Sequence, residues 1–240
     1  MKHVSAKWKV AAAVSALVAG SAAAQGNNSY ANMLSTIQSQ NQTWFNQLNS
    51  YNRQFGNAAR GAIESGRPST PQAGAAAVPA PALALPHYPI TATDFRSFPG
   101  RLMPDQIASA MAGVTFEQRL AIRASYYRFL DDFERVNRRN NIAAAVAYAI
   151  RLSLRAVYGK ELSQAELDQM AWNFNSVLAT NPQFNAMAPQ QKQLLYESLI
   201  ITGATVATLQ MQGIQQNDFV MQGKARELGQ LVLTQWLNIS

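Results

Sequence analysis

Glu197 heads the short list of side chains in this 240-residue chain that could do chemistry. Carboxylate chemistry is what the composition leaves open. Cysteine is absent, and of the two histidines His3 lies in the N-terminal leader and His87 among prolines. Thiol nucleophiles, Ser-His pairs and Cys/His zinc sets are therefore excluded. No Gly-rich phosphate loop, HExxH run or Asp-rich calcium loop occurs. No cofactor or metal is expected. A single glutamic acid can still protonate a glycosidic oxygen, which makes Glu197 the one catalytic candidate. The competing reading is an acid held in an ion pair with Arg119 or Arg123.

Those two arginines are the candidate ligand-binding residues. They fall within the apolar arc of a long helix that also carries Phe116, Leu120, Ile122, Tyr126, Phe129, Leu130, Phe133 and Val136. A guanidinium taken out of water needs a partner. Either Arg119 and Arg123 pair with an acid of the C-terminal half, such as Glu197 or Glu227, or they line a cationic pocket for a carboxylate, phosphate or lipid headgroup. The run Arg135–Asn140 reads as cations at a helix C-terminus, where the helix dipole favours them. Basic and acidic residues interleave from Arg101 to Tyr158, so no nucleic-acid partner is expected. That stretch is net basic while the rest of the chain to Ser240 is net acidic, which predicts attraction between the two halves.

The elements that must position these groups are helical. Residues 1–24 read as an export signal: Lys2, Lys7 and Lys9 precede an apolar run, and Ala22-Ala23-Ala24 offers a small-residue cleavage site. A periplasmic or secreted protein with no transmembrane helix in its mature form is expected. Residues 25–57 are rich in Asn and Gln, with Arg53 their only charge. Tyr30, Leu34, Ile37, Asn41, Trp44, Leu48, Tyr51 and Phe55 alternate at spacings of four and three, a heptad seam with one polar core position. This predicts either self-association as a coiled coil or an amphipathic helix that docks on the main domain. Residues 58–89 carry six prolines among Ala and Gly and read as a disordered tether.

Residues 90–240 predict an all-α bundle of five to six helices. Pro104 suits the first turn of a short helix ending near Ala112, with Gly113 as its stop. Thr115 with Gln118 and Ser163 with Glu166 form capping boxes, and Asn141 caps the helix between them, which stops at Gly159. Pro189 opens a helix that is apolar on every side, with no charge between Glu197 and Asp218, and Asn217 or Asp218 starts the last. Alanines along 143–156 and Gly203-Ala204 mark where helix backbones approach closely.

Two resemblances add to this. Glu197-Ser198 followed by Gly203-Ala204 and Gln210 resembles the Glu-Ser and Gly-Ala…Gln signature of lytic transglycosylases, which implies cleavage of cell-wall glycan. The stretch from Thr93-Asp94-Phe95 through Pro104, with Tyr126-Tyr127 and Trp172-Asn173, resembles a family of bacterial exported helical domains with no assigned activity. The expectation is a non-enzymatic interaction module whose partner is another protein or a second copy. The alternatives are a glycan-cleaving enzyme using Glu197 and a small-ligand carrier at Arg119 and Arg123.

Overall fold

Short-range capping sets the helix boundaries. The computed structural model describes residues 88–110 and 115–237. The leader, the heptad seam and nearly all of the tether lie outside these residues. The elements in chain order are a 3-10 helix (Ile90–Thr93), then α1 (Met103–Ala110), α2 (Phe116–Val136), α3 (Ile142–Tyr158), α4 (Gln164–Thr180), α5 (Pro182–Ala186), α6 (Pro189–Gln215) and α7 (Phe219–Leu237). The six expected helices all form, and α5 adds a seventh because the Asn181 side chain accepts from Phe184 N at 3.2 Å.

The expected stop at Gly113 lies outside the described residues; the other expected caps are made. Thr115 Oγ1 accepts from Gln118 N, and Gln118 returns the bond to Thr115 N at 2.8 Å. Ser163 and Glu166 do the same for α4. Asn141 Oδ1 accepts from Ala144 N at 2.8 Å, and Asp218 Oδ1 accepts from Val220 N and Met221 N. Gly159 ends α3 at φ 64°, the left-handed conformation that glycine reaches without a Cβ penalty. The long helix α2 is shorter than its pattern suggested. It stops at Val136, so Arg138 and Arg139 stand beyond its end rather than on its last turn.

Helices α3, α6 and α7 pack on one another and form the centre, with α4 against α3 and the α1–α2 pair laid over part of α6. Ile142, Ile150, Ile200, Ile201 and Leu233 are fully buried there. The α3–α6 crossing is close because Gly203 faces Ala149: a Cβ on Gly203 would sit 3.0 Å from the Ala149 Cα. Gly229 lets α7 lie against α3, where a Cβ would sit 3.0 Å from a Val157 methyl and 3.4 Å from the Ser153 backbone. Helix α6 is long and apolar enough to cross a membrane, yet 67% of its apolar window is buried within the bundle, which identifies it as a core helix.

Candidate functional site

Glu197 is fully buried, and all its acceptor capacity faces protein. Its Oε2 accepts from Leu102 N at 2.8 Å and Met103 N at 2.7 Å, and its Oε1 accepts from Gln193 Nε2 at 2.8 Å. The carboxylate thus caps the first turn of α1 from a helix some 95 positions away, meeting amides that have no partner within their own helix. The expected pairing with Arg119 or Arg123 is not made. Gln193 completes the arrangement, accepting from Phe98 N at 2.6 Å and donating to Gly100 O at 2.8 Å.

A second carboxylate lies close by on α2. Glu134, whose side chain is 8% exposed, accepts both arms of the Arg101 guanidinium at 2.6 and 2.7 Å, and Tyr196 Oη donates to it at 3.2 Å. Burial alone would raise the Glu134 carboxyl, but the hydrogen bonds and charge of Arg101 outweigh it and hold it below the usual carboxylate range. Burial pushes Glu197 the other way, above that range, against the pull of its three hydrogen bonds. Two carboxyls displaced in opposite directions are the mark of an acid/base pair when they face a cleft. Here Glu197 sees no solvent and both serve a structural purpose.

That purpose is to fasten residues 88–103 across the bundle. Asn175, fully buried on α4, accepts from Thr93 Oγ1 and donates to Pro89 O, both at 2.9 Å. Asn141 donates to Ile90 O and Asp94 Oδ1 at 2.8 Å, and Arg138 pairs with Asp94 at 2.6 Å. Phe95 stacks edge-on against Tyr196, with ring centres 5.3 Å apart. The buried polar side chains Asn141, Asn175, Gln193 and Glu197 are accounted for by this strap.

Arg119 and Arg123 stand elsewhere. Arg123 is exposed, pairs with Asp105 of α1 and lies over the Tyr127 ring at 5.3 Å. Arg119 is half-buried. In the first turns of α2 Phe116 is 75% and Leu120 46% exposed while Ile122 is buried, so the apolar arc is covered only in part at the level of these arginines. Among the described residues, Arg155–Glu161 at 2.9 Å joins the basic stretch to the acidic one, and the other ion pairs fall within residues 94–139. Asp131 pairs with Arg101 at 3.3 Å, and Asp132 takes Arg135 at 3.0 Å.

An open pocket of about 370 Å³ lies in the groove between α3 and α4. One wall is Ala144, Ala147, Tyr148 and Arg151, the other Gln164, Leu167, Asp168 and Ala171. Both sets follow the spacing i, i+3, i+4, i+7, which puts each on a single helix face. Ile90 and Val136–Arg138 close one end. The Tyr148 ring is fixed edge-on to Phe133 at 5.0 Å, and burial first, then the charge of Asp132, pushes its hydroxyl up to about 12. It is a neutral donor at physiological pH. Arg151 is half-buried and forms no ion pair among the described residues; Asp168 is bonded to Gln164 Nε2 at 2.8 Å and likewise has no cationic partner among them. The pocket's volume lies at the lower end of the range of small-molecule sites, and it opens to solvent. Sequence reasoning missed this pocket, although Arg151 is the first charge to interrupt the alanine-rich helix that Asn141 opens.

Among the described residues no group of three His, Cys, Asp or Glu side chains could hold a metal ion. Comparison with curated proteins finds no match, and comparison with solved structures finds none. Residues 5–240, nearly the whole chain, match a family of unknown function, DUF6683, and the chain belongs to that family.

Proposed function

We propose that this protein is an exported, non-enzymatic binding module whose ligand site is the groove between α3 and α4. The observation that carries the reading is the distribution of charged groups. Glu134, Glu197, Arg101 and Arg123 are held by protein partners, whereas Arg151 and Asp168 line an open pocket with no ion-pair partner among the described residues. Glycan cleavage at Glu197 is the weaker alternative, because a general acid must touch the leaving oxygen and this carboxyl is sealed. Carriage at Arg119 and Arg123 is weaker too, since a ligand there would compete with Asp105. Export is supported by the charged and apolar pattern of residues 1–24.

Native mass spectrometry of freshly purified protein tests the reading. A small-molecule adduct is expected on the wild type and should be lost from Ala144→Leu, which narrows the groove. An adduct retained by that variant, or release of soluble fragments from cell-wall glycan by wild type but not by Glu197→Gln, would overturn it. The heptad seam of residues 30–55 supports self-association as a second property. Sedimentation should show a larger species for the full mature chain than for one lacking residues 25–57. Identical monomers would remove that part.

A further inference from the structure

We infer that the α3–α4 groove is built for a small zwitterion, a compact apolar body bearing one ammonium and one carboxylate, as in an apolar α-amino acid. This deepens the binding reading above and rests on it. Three observations on the groove lead there.

Arg151 and Asp168 stand on opposite walls and carry opposite charges, yet they form no ion pair with each other. A ligand with both charges can satisfy each without exposing an unmatched one. Arg138 at the groove end is already neutralised by Asp94 at 2.6 Å, so the lining offers one available cation and one available anion. A dianion such as a phosphate monoester would meet a single available guanidinium and be repelled by Asp168. The guanidinium fork matches a carboxylate with two parallel hydrogen bonds, and Tyr148 in the same lining carries a neutral hydroxyl donor. Asp168 keeps acceptor capacity for an ammonium, since its Oδ1 takes only the Gln164 amide. Ala144, Ala147, Leu167 and Ala171 supply the apolar part of the lining, a surface suited to an aliphatic side chain.

Three probes separate the contributions: leucine, N-acetyl-leucine without the ammonium, and leucinamide without the carboxylate. Binding to the full mature chain is followed by NMR shifts of groove residues. Leucine should bind at least tenfold more tightly than either derivative. In Arg151→Gln the preference over leucinamide should vanish while that over N-acetyl-leucine persists; Asp168→Asn should do the reverse. Asp168 is exposed and Arg151 half-buried, so both variants are expected to fold, and unchanged circular dichroism checks this. Equal binding of leucine and N-acetyl-leucine would overturn the zwitterion assignment in favour of a simple anion. Equal binding of all three probes, abolished by Ala144→Leu, would overturn it while leaving the groove as a binding site. Absence of groove shifts with every probe would overturn the zwitterion assignment; if Ala144→Leu also leaves the mass-spectrometric adduct in place, the binding reading falls with it.

Discussion

Replacing Glu134 by alanine should lower the unfolding free energy at pH 7 by about 2 kcal/mol, because it removes the two short contacts of the half-buried Arg101 guanidinium and leaves it Asp131 at 3.3 Å. Denaturant titration measures this. The Tyr196 hydroxyl loses its acceptor in the same variant. The pH dependence distinguishes lost charge from lost packing. The native Glu134 carboxyl lies below its unfolded value, so its stabilisation is fully present above about pH 4.5 and declines as pH falls through the native value. The gap between wild type and Glu134→Ala should therefore close in acid. A gap constant from pH 7 down to pH 3 would show that only packing was removed. Glu197 acts with the opposite sign. Its native carboxyl is raised, so the folded state keeps a proton that the unfolded chain has released, and stability declines as pH rises from about 4.5 through the native value. Glu197→Gln should erase that decline.

The helices were legible because their signals are local. A Ser or Thr followed three residues later by Gln or Glu satisfies amides within the same turn, and no distant contact is needed to read it; hence the boundaries at Thr115 and Ser163, while Gly159 is read as a stop from glycine's left-handed freedom. The depth of α6 was legible from an apolar surface that covers every direction. The resemblance to a family without assigned activity agrees with membership of a family of unknown function. Charge partners were not legible. The partner of Glu197 is the backbone of Leu102 and Met103, which carries no side-chain signature, and Glu134 is held by Arg101, a residue in a loop outside any periodic pattern. Helical-wheel reasoning placed Arg119 and Arg123 on a buried face. A wheel gives direction around an axis, not how far along the axis the neighbouring helices reach. The groove escaped notice for the same reason. It exists where two separately capped helices lie side by side with alanines between them.

That close packing underlies the second large effect. Gly203→Val should destabilise the fold by about 3 kcal/mol, the upper end of ordinary overpacking in a filled core. The added Cβ alone would lie 3.0 Å from the Ala149 Cα and 3.4 Å from the Tyr148 ring. The first of these atoms is backbone, so relief requires α3 and α6 to move apart along a buried seam. Two controls make the result interpretable. Ala149→Gly in the same chain should not restore stability, because the obstructing atom is the Cα and glycine retains it. Gly223→Ala should instead stabilise by about 1 kcal/mol, the helix preference of alanine over glycine, since a Cβ there meets nothing within 4 Å. Thermal unfolding of the four proteins reads all three effects. Rescue of Gly203→Val by Ala149→Gly would mean that side-chain volume, not backbone approach, sets the spacing of α3 and α6. Because Tyr148 forms part of both this crossing and the groove wall, Gly203→Val should also disturb the groove's NMR signals, which Gly223→Ala should leave in place.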